Sequence, residues 1–546
     1  MRGLMMDTPL LITSIMRHCE QLHGDREIVS VTADNPRHRY NYATAFRRSR
    51  QLANALRRLG VNPSERLGTL AWSDYRHFEV YYAVACYGAV CHTINPRLFE
   101  AQLEYIINHA QDRYIFADPD YLPLLEKLAP RLPLLRGTIL LTTRENMPRS
   151  ELPNLLCYED LLSRESPDFE WPMLEENTAS SLCYTSGTTG APKGVLYSHR
   201  SNVLHTLTVG TADVLGLRNI DTVMPIVPMF HANAWGVPYS AAMVGAKLVL
   251  PGGKLGDAAT LADLIETESV NVSFGVPTVW GTLLQYLHRS NRRLTKLRRV
   301  FVGGSACSWA LMQQLQQRHG VYTHHAWGMT EMSPIGTSNS VTPVRASLST
   351  AEQDAEQLSQ GRAVFGVEMK IVDERDQSQP WDGIATGLLK VRGPFVCGSY
   401  FNTERSDAHD LAGWFSTGDL AAISPNGHLR IADRVKDVIK SGGEWISSID
   451  LENAAMAFPG VAEAAVIAMA HPKWQERPLL VVVPQAGQTI DTKALLALIG
   501  SKVAKWWVPD DVQLVTDLPH TASGKLDKQG LRQRFADYHW PQKSSP

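Results

Sequence analysis

YTSGTTGAPKGV, residues Tyr184 to Val195, sets Thr185, Ser186, Thr188 and Thr189 among Gly187, Gly190 and Gly194 and closes on Pro192 and Lys193. Such a run favours neither helix nor strand, because glycine loses most conformational entropy on ordering and hydroxyl side chains compete for backbone hydrogen bonds. It reads as a loop. Free amides, hydroxyls and one ammonium suit a polyphosphate, since backbone N–H groups in a concave turn and a nearby cation both favour clustered negative charge. A flexible surface linker has the same composition. Two features favour the phosphate reading: the uncharged run Ala179 to Cys183 lies where a strand would deliver the loop, and a linker gains nothing from Lys193. The Walker arrangement is excluded, because it needs Gly and Lys adjacent and then Ser or Thr, whereas Lys193 lies between Pro192 and Gly194.

Outward from the loop, 546 residues exceed what one hydrophobic core serves, so two or more domains are expected. A composition 44% hydrophobic and 20% charged is that of an ordinary globular protein. The balance of 53 Lys plus Arg against 55 Asp plus Glu, net −2, argues against nucleic acid as a partner. Cys19, Cys86, Cys91, Cys157, Cys183, Cys307 and Cys397 are scattered without a C-x-x-C pair. That pattern points to reduced thiols in the cytoplasm and away from a disulfide framework or a zinc site. Asp7 and Pro9 break the N-terminal apolar run before it becomes a secretory signal. The stretch Thr222 to Ala246 carries no Asp, Glu, Lys or Arg, yet Pro225, Pro228, Pro238, His231 and Asn233 make it core or pocket wall rather than a membrane helix.

Phe46, Leu52, Leu56 and Leu59 recur at near-helical spacing over Tyr42 to Leu59, with Gly60 as the stop. A strand over Arg66 to Ala71 and a helix over Glu79 to Ala89 continue an alternation that predicts a mostly parallel, layered α/β core. Glu145 to Trp171, rich in Pro, Glu and Ser, reads as a surface connection. Val270 to Gly275 reads as a buried strand, and RVFVGGSA (Arg299 to Ala306) as a strand ending in Gly303, Gly304 and Ser305, where paired glycines let a flat ring approach the backbone. Beyond residue 434, Ile449 to Phe458, Ala462 to Met469 and Leu479 to Val483 supply a small α/β domain.

Five further stretches accompany the loop: PMFHANAWGVPY (Pro228 to Tyr239), YTHHAWGMTEMSP (Tyr322 to Pro334), GWFSTGDL (Gly413 to Leu420), DRVKDVIKSGGEWIS (Asp433 to Ser447) and DLPHTASGKLDK (Asp517 to Lys528). In this order they resemble the AMP-forming adenylating enzymes, the superfamily of acyl-CoA synthetases, luciferases and peptide-synthetase adenylation domains. The resemblance implies a large layered N-terminal domain of mixed sheets and helices, 1–434, and a small α/β C-terminal domain, 435–546, that rotates about a hinge. It implies ATP, Mg2+ and CoA. Thr185, Ser186, Gly187, Thr188, Thr189 and Lys193 would hold the phosphates, and Glu331 the metal, with Thr185 beside it. Gly304, Ser305, His325, Ala326 and Trp327 would line the nucleotide, Trp327 standing where Tyr is more usual. Asp419 and Arg434 would take the ribose. Lys436 marks the hinge, and Lys440, Gly443 and Trp445 belong to the hairpin that would admit the pantetheine of CoA.

The same resemblance makes Lys525, Thr330, Glu331 and His231 the catalytic set. Trp235, four residues after His231, would gate an acyl tunnel, and Trp280 and Gly281 would shape chain-length preference. The implied reaction converts a carboxylate, a poor electrophile, into an acyl-adenylate with release of pyrophosphate, then passes the acyl group to the CoA thiol without an evident dedicated base. HANAW and GGEWIS favour a medium-chain fatty-acid:CoA ligase of bacterial type. An aromatic or short-chain acid, or a carrier protein as acceptor, is the rival reading. The subgroup also suggests a homodimer, and peripheral membrane contact stays open.

Overall fold

Asn41 starts the first long helix of the core by accepting the Thr44 N–H at 2.9 Å, and Tyr42–Arg58 follows with Phe46, Leu52 and Leu56 buried along one face. Gly60, at φ +70°, turns the chain away where the spacing predicts a stop. The computed structural model describes residues 1, 3–185, 191–403, 407–442, 444–521 and 525–540. A second helix, Tyr75–Tyr87, is capped by Asp74, which accepts from the Arg76 and His77 amides, and ends at Gly88 with φ +95°. Phe46, Phe78 and Tyr82 lock the two helices together; fully burying one such ring contributes about 1.5–3 kcal/mol.

Among the described residues the chain forms four sheets. The first has seven strands, ordered Leu155–Cys157, Gly137–Leu140, Tyr114–Ala117, Arg66–Leu70, Val90–Thr93, Ala179–Tyr184 and Gly194–Ser198. All its pairs are parallel except the last, so the phosphate loop joins two antiparallel neighbours at the sheet edge. The second has nine strands; its parallel centre carries Thr222–Pro225, Val272–Gly275, Arg299–Val302 and Tyr322–Gly328, each bearing a candidate segment at its C-terminal end. Ligand sites on open α/β sheets form at those ends. The third sheet is a four-stranded antiparallel one in which Phe415–Ile423 pairs with Leu429–Arg434 and sets Asp419 opposite Arg434. The fourth carries the last domain: Val461–His471 and Gln475–Pro484 pair in antiparallel, with the helix Ser448–Met456 packed on them. No helix among the described residues is long and apolar enough to cross a membrane.

Two expectations need correction. Glu145 to Trp171 is not simply a surface connection: Leu155–Cys157 adds an edge strand, Tyr158–Ser163 is helical, and Tyr158 and Trp171 are buried. Its polar composition misleads because Glu159 bonds Arg48 and Arg76 at 2.8–3.0 Å, while the Tyr158 hydroxyl donates to buried Glu79 at 2.7 Å. The helix expected from Glu79 begins four residues earlier, at Tyr75, because that ion-pair network buries the polar first turn. Thr222 to Ala246 folds as core, a strand and the helix Val237–Val244, as its prolines require.

Candidate active site

The described ends of the Tyr184 to Val195 loop bond to each other. The Thr185 N–H donates to the Lys193 carbonyl at 2.9 Å, and the Lys193 N–H returns to Thr185 Oγ1 at 3.2 Å. Ser186, Gly187, Thr188 and Thr189 lie outside the described residues, as do Gly443 and the Ala522 to Gly524 part of the terminal motif. A narrow cleft runs from Thr185 to His231, walled by Thr93, Asn95, Tyr184 and Phe230.

Thr330 and Glu331 occupy a tight turn after the strand Tyr322–Gly328 and are both buried. The Tyr197 hydroxyl donates to the Thr330 carbonyl at 2.5 Å, and the Tyr400 hydroxyl donates to Glu331 Oε1 at 2.7 Å. Burial pushes the Glu331 carboxyl upward, while the Tyr400 bond, Arg434 and Lys525 hold it toward the anion. Asp419, 2% exposed, accepts the Trp327 indole N–H at 3.0 Å on one oxygen and pairs with Arg434 Nε at 2.8 Å on the other. Burial raises its carboxyl too, against the opposing charge of Arg434.

Lys525 reaches this cluster from the C-terminal domain. A Cβ placed on Gly304 would lie 3.7 Å from Lys525 Cε. Burial, and then the charge of Arg434, lower the Lys525 ammonium to about 8, while Asp419 and Glu331 pull the other way. His231 is lowered to about 4 by burial and then by Lys525, and so stands neutral at physiological pH. The structure thus brings together Glu331, Asp419, Arg434, Lys525 and His231, with Gly304 and Ser305 exposed beside them. The His325 ring turns elsewhere: its Nδ1 bonds the Leu358 carbonyl at 2.8 Å.

Trp235 sits on an unusual turn. Ala232, Asn233, Ala234, Trp235 and Gly236 all have positive φ, from +42° to +76°, a left-handed helical turn in which four of five residues carry a Cβ. Each costs roughly 1–2 kcal/mol, so tertiary contacts must hold it. Asn233 supplies them: buried, it donates to Ser181 Oγ at 3.1 Å and faces Cys183 Sγ at 3.7 Å, both on the strand that feeds the phosphate loop. The Trp235 ring lies against Gly303, where a Cβ would sit 3.3 Å from Cη2 and 2.8 Å from the Ala326 carbonyl oxygen. The first glycine of the pair thus serves the indole. Trp280 and Gly281 stand apart. Trp280 is fully buried in a second apolar cluster behind Gly275, and Gly281 faces open space.

Past Arg434, a tight turn bonds the Asp437 and Val438 amides to the Arg434 carbonyl, both at 2.9 Å, and leaves Lys436 exposed. In the hairpin that follows, Lys440 pairs across from Trp445. Among the described residues no three His, Cys, Asp or Glu gather as a metal cage. Magnesium is commonly held by one or two carboxylates plus phosphate oxygens, and Glu331 beside a phosphate loop is such a donor set. Tyr400 and Tyr197 escape the sequence reading, because a tyrosine bound for a core and one bound for a site look alike until packing brings their partners.

Residues 16–401 match the AMP-binding enzyme family and residues 450–525 the AMP-binding enzyme C-terminal domain. The chain is 49% identical to the 3-methylmercaptopropionyl-CoA ligase of Ruegeria lacuscaerulensis over 98% of its own length and 99% of that protein's. It is 46% identical to the medium-chain-fatty-acid–CoA ligase of Ectopseudomonas oleovorans, covering 98% of both chains. The fold superposes on the anthranilate CoA ligase AuaEII bound to anthranoyl-AMP with a TM-score of 0.87, at 25% identity over 98% of this chain and 99% of that one. The chain belongs to the AMP-binding enzyme family, and medium- and long-chain fatty-acid CoA ligases are among its close homologues.

Proposed function

We propose that this AMP-forming acyl-CoA ligase activates a medium-chain fatty acid with ATP and passes it to CoA. The observation that carries the site assignment is the convergence of Lys525, from the C-terminal domain, on Glu331, Asp419 and Arg434. In the first half-reaction the substrate carboxylate attacks the α-phosphorus of ATP and pyrophosphate leaves. Lys525 and Thr330 offset the negative charge that gathers there, Asp419 and Arg434 hold the ribose, and Lys193 with the loop hydroxyls holds the leaving phosphates. Magnesium, when bound at Glu331, neutralises phosphate charge. His231, neutral beside the acyl cleft, can approach the substrate carboxylate without locking it in an ion pair.

In the second half-reaction the CoA thiol attacks the acyl carbonyl and AMP leaves. The domain 435–546 turns about Lys436, withdrawing Lys525 and presenting the hairpin of Lys440, Gly443 and Trp445 to pantetheine. A thiol with its ordinary pKa of about 8.5 is already a few per cent thiolate at neutral pH, so it needs no dedicated base. Seven unpaired cysteines, six of them buried, support a cytoplasmic location. The homodimer and peripheral membrane contact suggested by the subgroup are tested by sedimentation and by flotation with vesicles.

CoA-dependent AMP release, measured across straight-chain acids from acetate to palmitate together with 3-methylmercaptopropionate, tests the substrate. The expected maximum in kcat/KM is near octanoate. A maximum at 3-methylmercaptopropionate would replace this reading with a short thioether acid, which the names of two relatives at 49% and 47% identity favour.

A further inference from the structure

The stretch Cys397 to Phe401 lies between the two halves of the nucleotide site and bonds to both. The Cys397 N–H donates to the Glu331 carbonyl at 2.8 Å, and the Phe401 N–H donates to the Gly194 carbonyl at 2.8 Å, directly beyond Lys193. Tyr400 repeats the bridge with its side chain. Its hydroxyl donates to Glu331 Oε1 at 2.7 Å, and the Lys193 ammonium stands 4.8 Å from the centroid of its ring. The phenol is buried, 8% exposed, whereas Lys193 is exposed, so the ring–ammonium contact is the weaker and more easily broken of the two.

These contacts do different physical work. A hydrogen bond to one carboxylate oxygen fixes the plane of the Glu331 headgroup and leaves the other oxygen outside that bond; carboxylates that bind metals are commonly oriented in this way. An aromatic face attracts an ammonium, but less than a polyphosphate does, so the ring can hold Lys193 only while no nucleotide is bound. We propose that Tyr400 is a positioning residue of the adenylation site: it orients Glu331 toward a divalent cation and parks Lys193 until nucleotide phosphates draw the ammonium away. This rests on the adenylating role given to the site above.

Tyr400→Phe keeps the ring and removes the hydroxyl. In the full chain with ATP, Mn2+ binding followed by electron paramagnetic resonance should weaken roughly tenfold. The Mg2+ concentration for half-maximal ATP–pyrophosphate exchange should rise in parallel, while thioester formation from synthetic acyl-AMP stays at the wild-type rate. Tyr400→Leu, which also removes the ring, should change the KM for ATP as well. In a Glu331→Gln background, Tyr400→Phe should weaken Mn2+ no further, since its effect passes through that carboxylate. Unchanged Mn2+ binding in Tyr400→Phe, equal losses in both half-reactions, or an additive loss in the double variant would overturn the proposal. Wild-type protein assayed alongside separates the two readings: no exchange with any acid would sink the adenylating role itself, whereas normal exchange with an unshifted Tyr400→Phe sinks only the role of Tyr400.

Discussion

Trp327 and Asp419 are joined by an indole N–H to carboxylate hydrogen bond of 3.0 Å, buried and spanning 92 positions in sequence. With Arg434 on the other oxygen, this bond fixes a carboxylate that burial alone would favour as the neutral acid. A phenol at 327 has a shorter reach and a different donor direction. Trp327→Tyr should therefore raise the KM for ATP by roughly tenfold, the loss of about 1.5 kcal/mol that a charge-assisted bond contributes. Steady-state kinetics with varied ATP checks it, and an unchanged KM would show that Asp419 is held by Arg434 alone.

The left-handed turn yields a second prediction. Asn233→Ala removes the bond to Ser181 and leaves a less tolerant residue at φ +53°, so it should destabilise the N-terminal domain by about 2–3 kcal/mol. It should also free Trp235 and broaden chain-length preference in the same direction as Trp235→Ala. Denaturant unfolding and the acid series measure the two effects, and an unaltered acid profile in both variants would make the turn plain core.

Lys525 sets a pH limit. Its ammonium is lowered to about 8, so the charged form that the proposed adenylation role requires is full below that value and is lost as pH rises through it. The kcat/KM for adenylation should fall above about pH 8, and Lys525→Arg, whose guanidinium keeps its proton, should abolish that limb. ATP raises the lysine pKa by its charge, so the limb in kcat should lie higher. A flat kcat/KM profile through pH 9 would contradict the assignment.

The two half-reactions should separate. Lys525→Ala should lose roughly 100- to 1,000-fold in ATP–pyrophosphate exchange, as removal of one transition-state donor does, and keep thioester formation from synthetic acyl-AMP. Lys436→Pro should do the reverse, because a fixed φ stiffens the turn between domains. Equal losses in both assays for either variant would count against a rotating domain.

Much of the fold was legible in sequence because it rests on local rules. Gly60 ends the first long helix with a left-handed φ where the spacing predicts a stop, and the parallel core follows from alternating strands and helices. Glu145 to Trp171 was misread because its charges are satisfied by residues roughly a hundred positions away, which no local pattern displays. Trp280 has the composition of a pocket wall, yet its side of the helix faces the second apolar cluster.

What the sequence determined by itself is the family: the loop at Tyr184 to Val195, and the order in which Glu331, Asp419, Arg434 and Lys525 follow it, resemble the adenylating enzymes, and residues 16–401 match the AMP-binding enzyme family. Only the tertiary structure decided how those groups are held. Tyr400 against Glu331 and Lys193, Trp327 against Asp419, and Asn233 against Ser181 join segments 52 to 207 positions apart. Motifs record which groups a reaction needs, whereas the orientation of each is fixed by packing and hydrogen bonds that exist only once the chain has closed on itself.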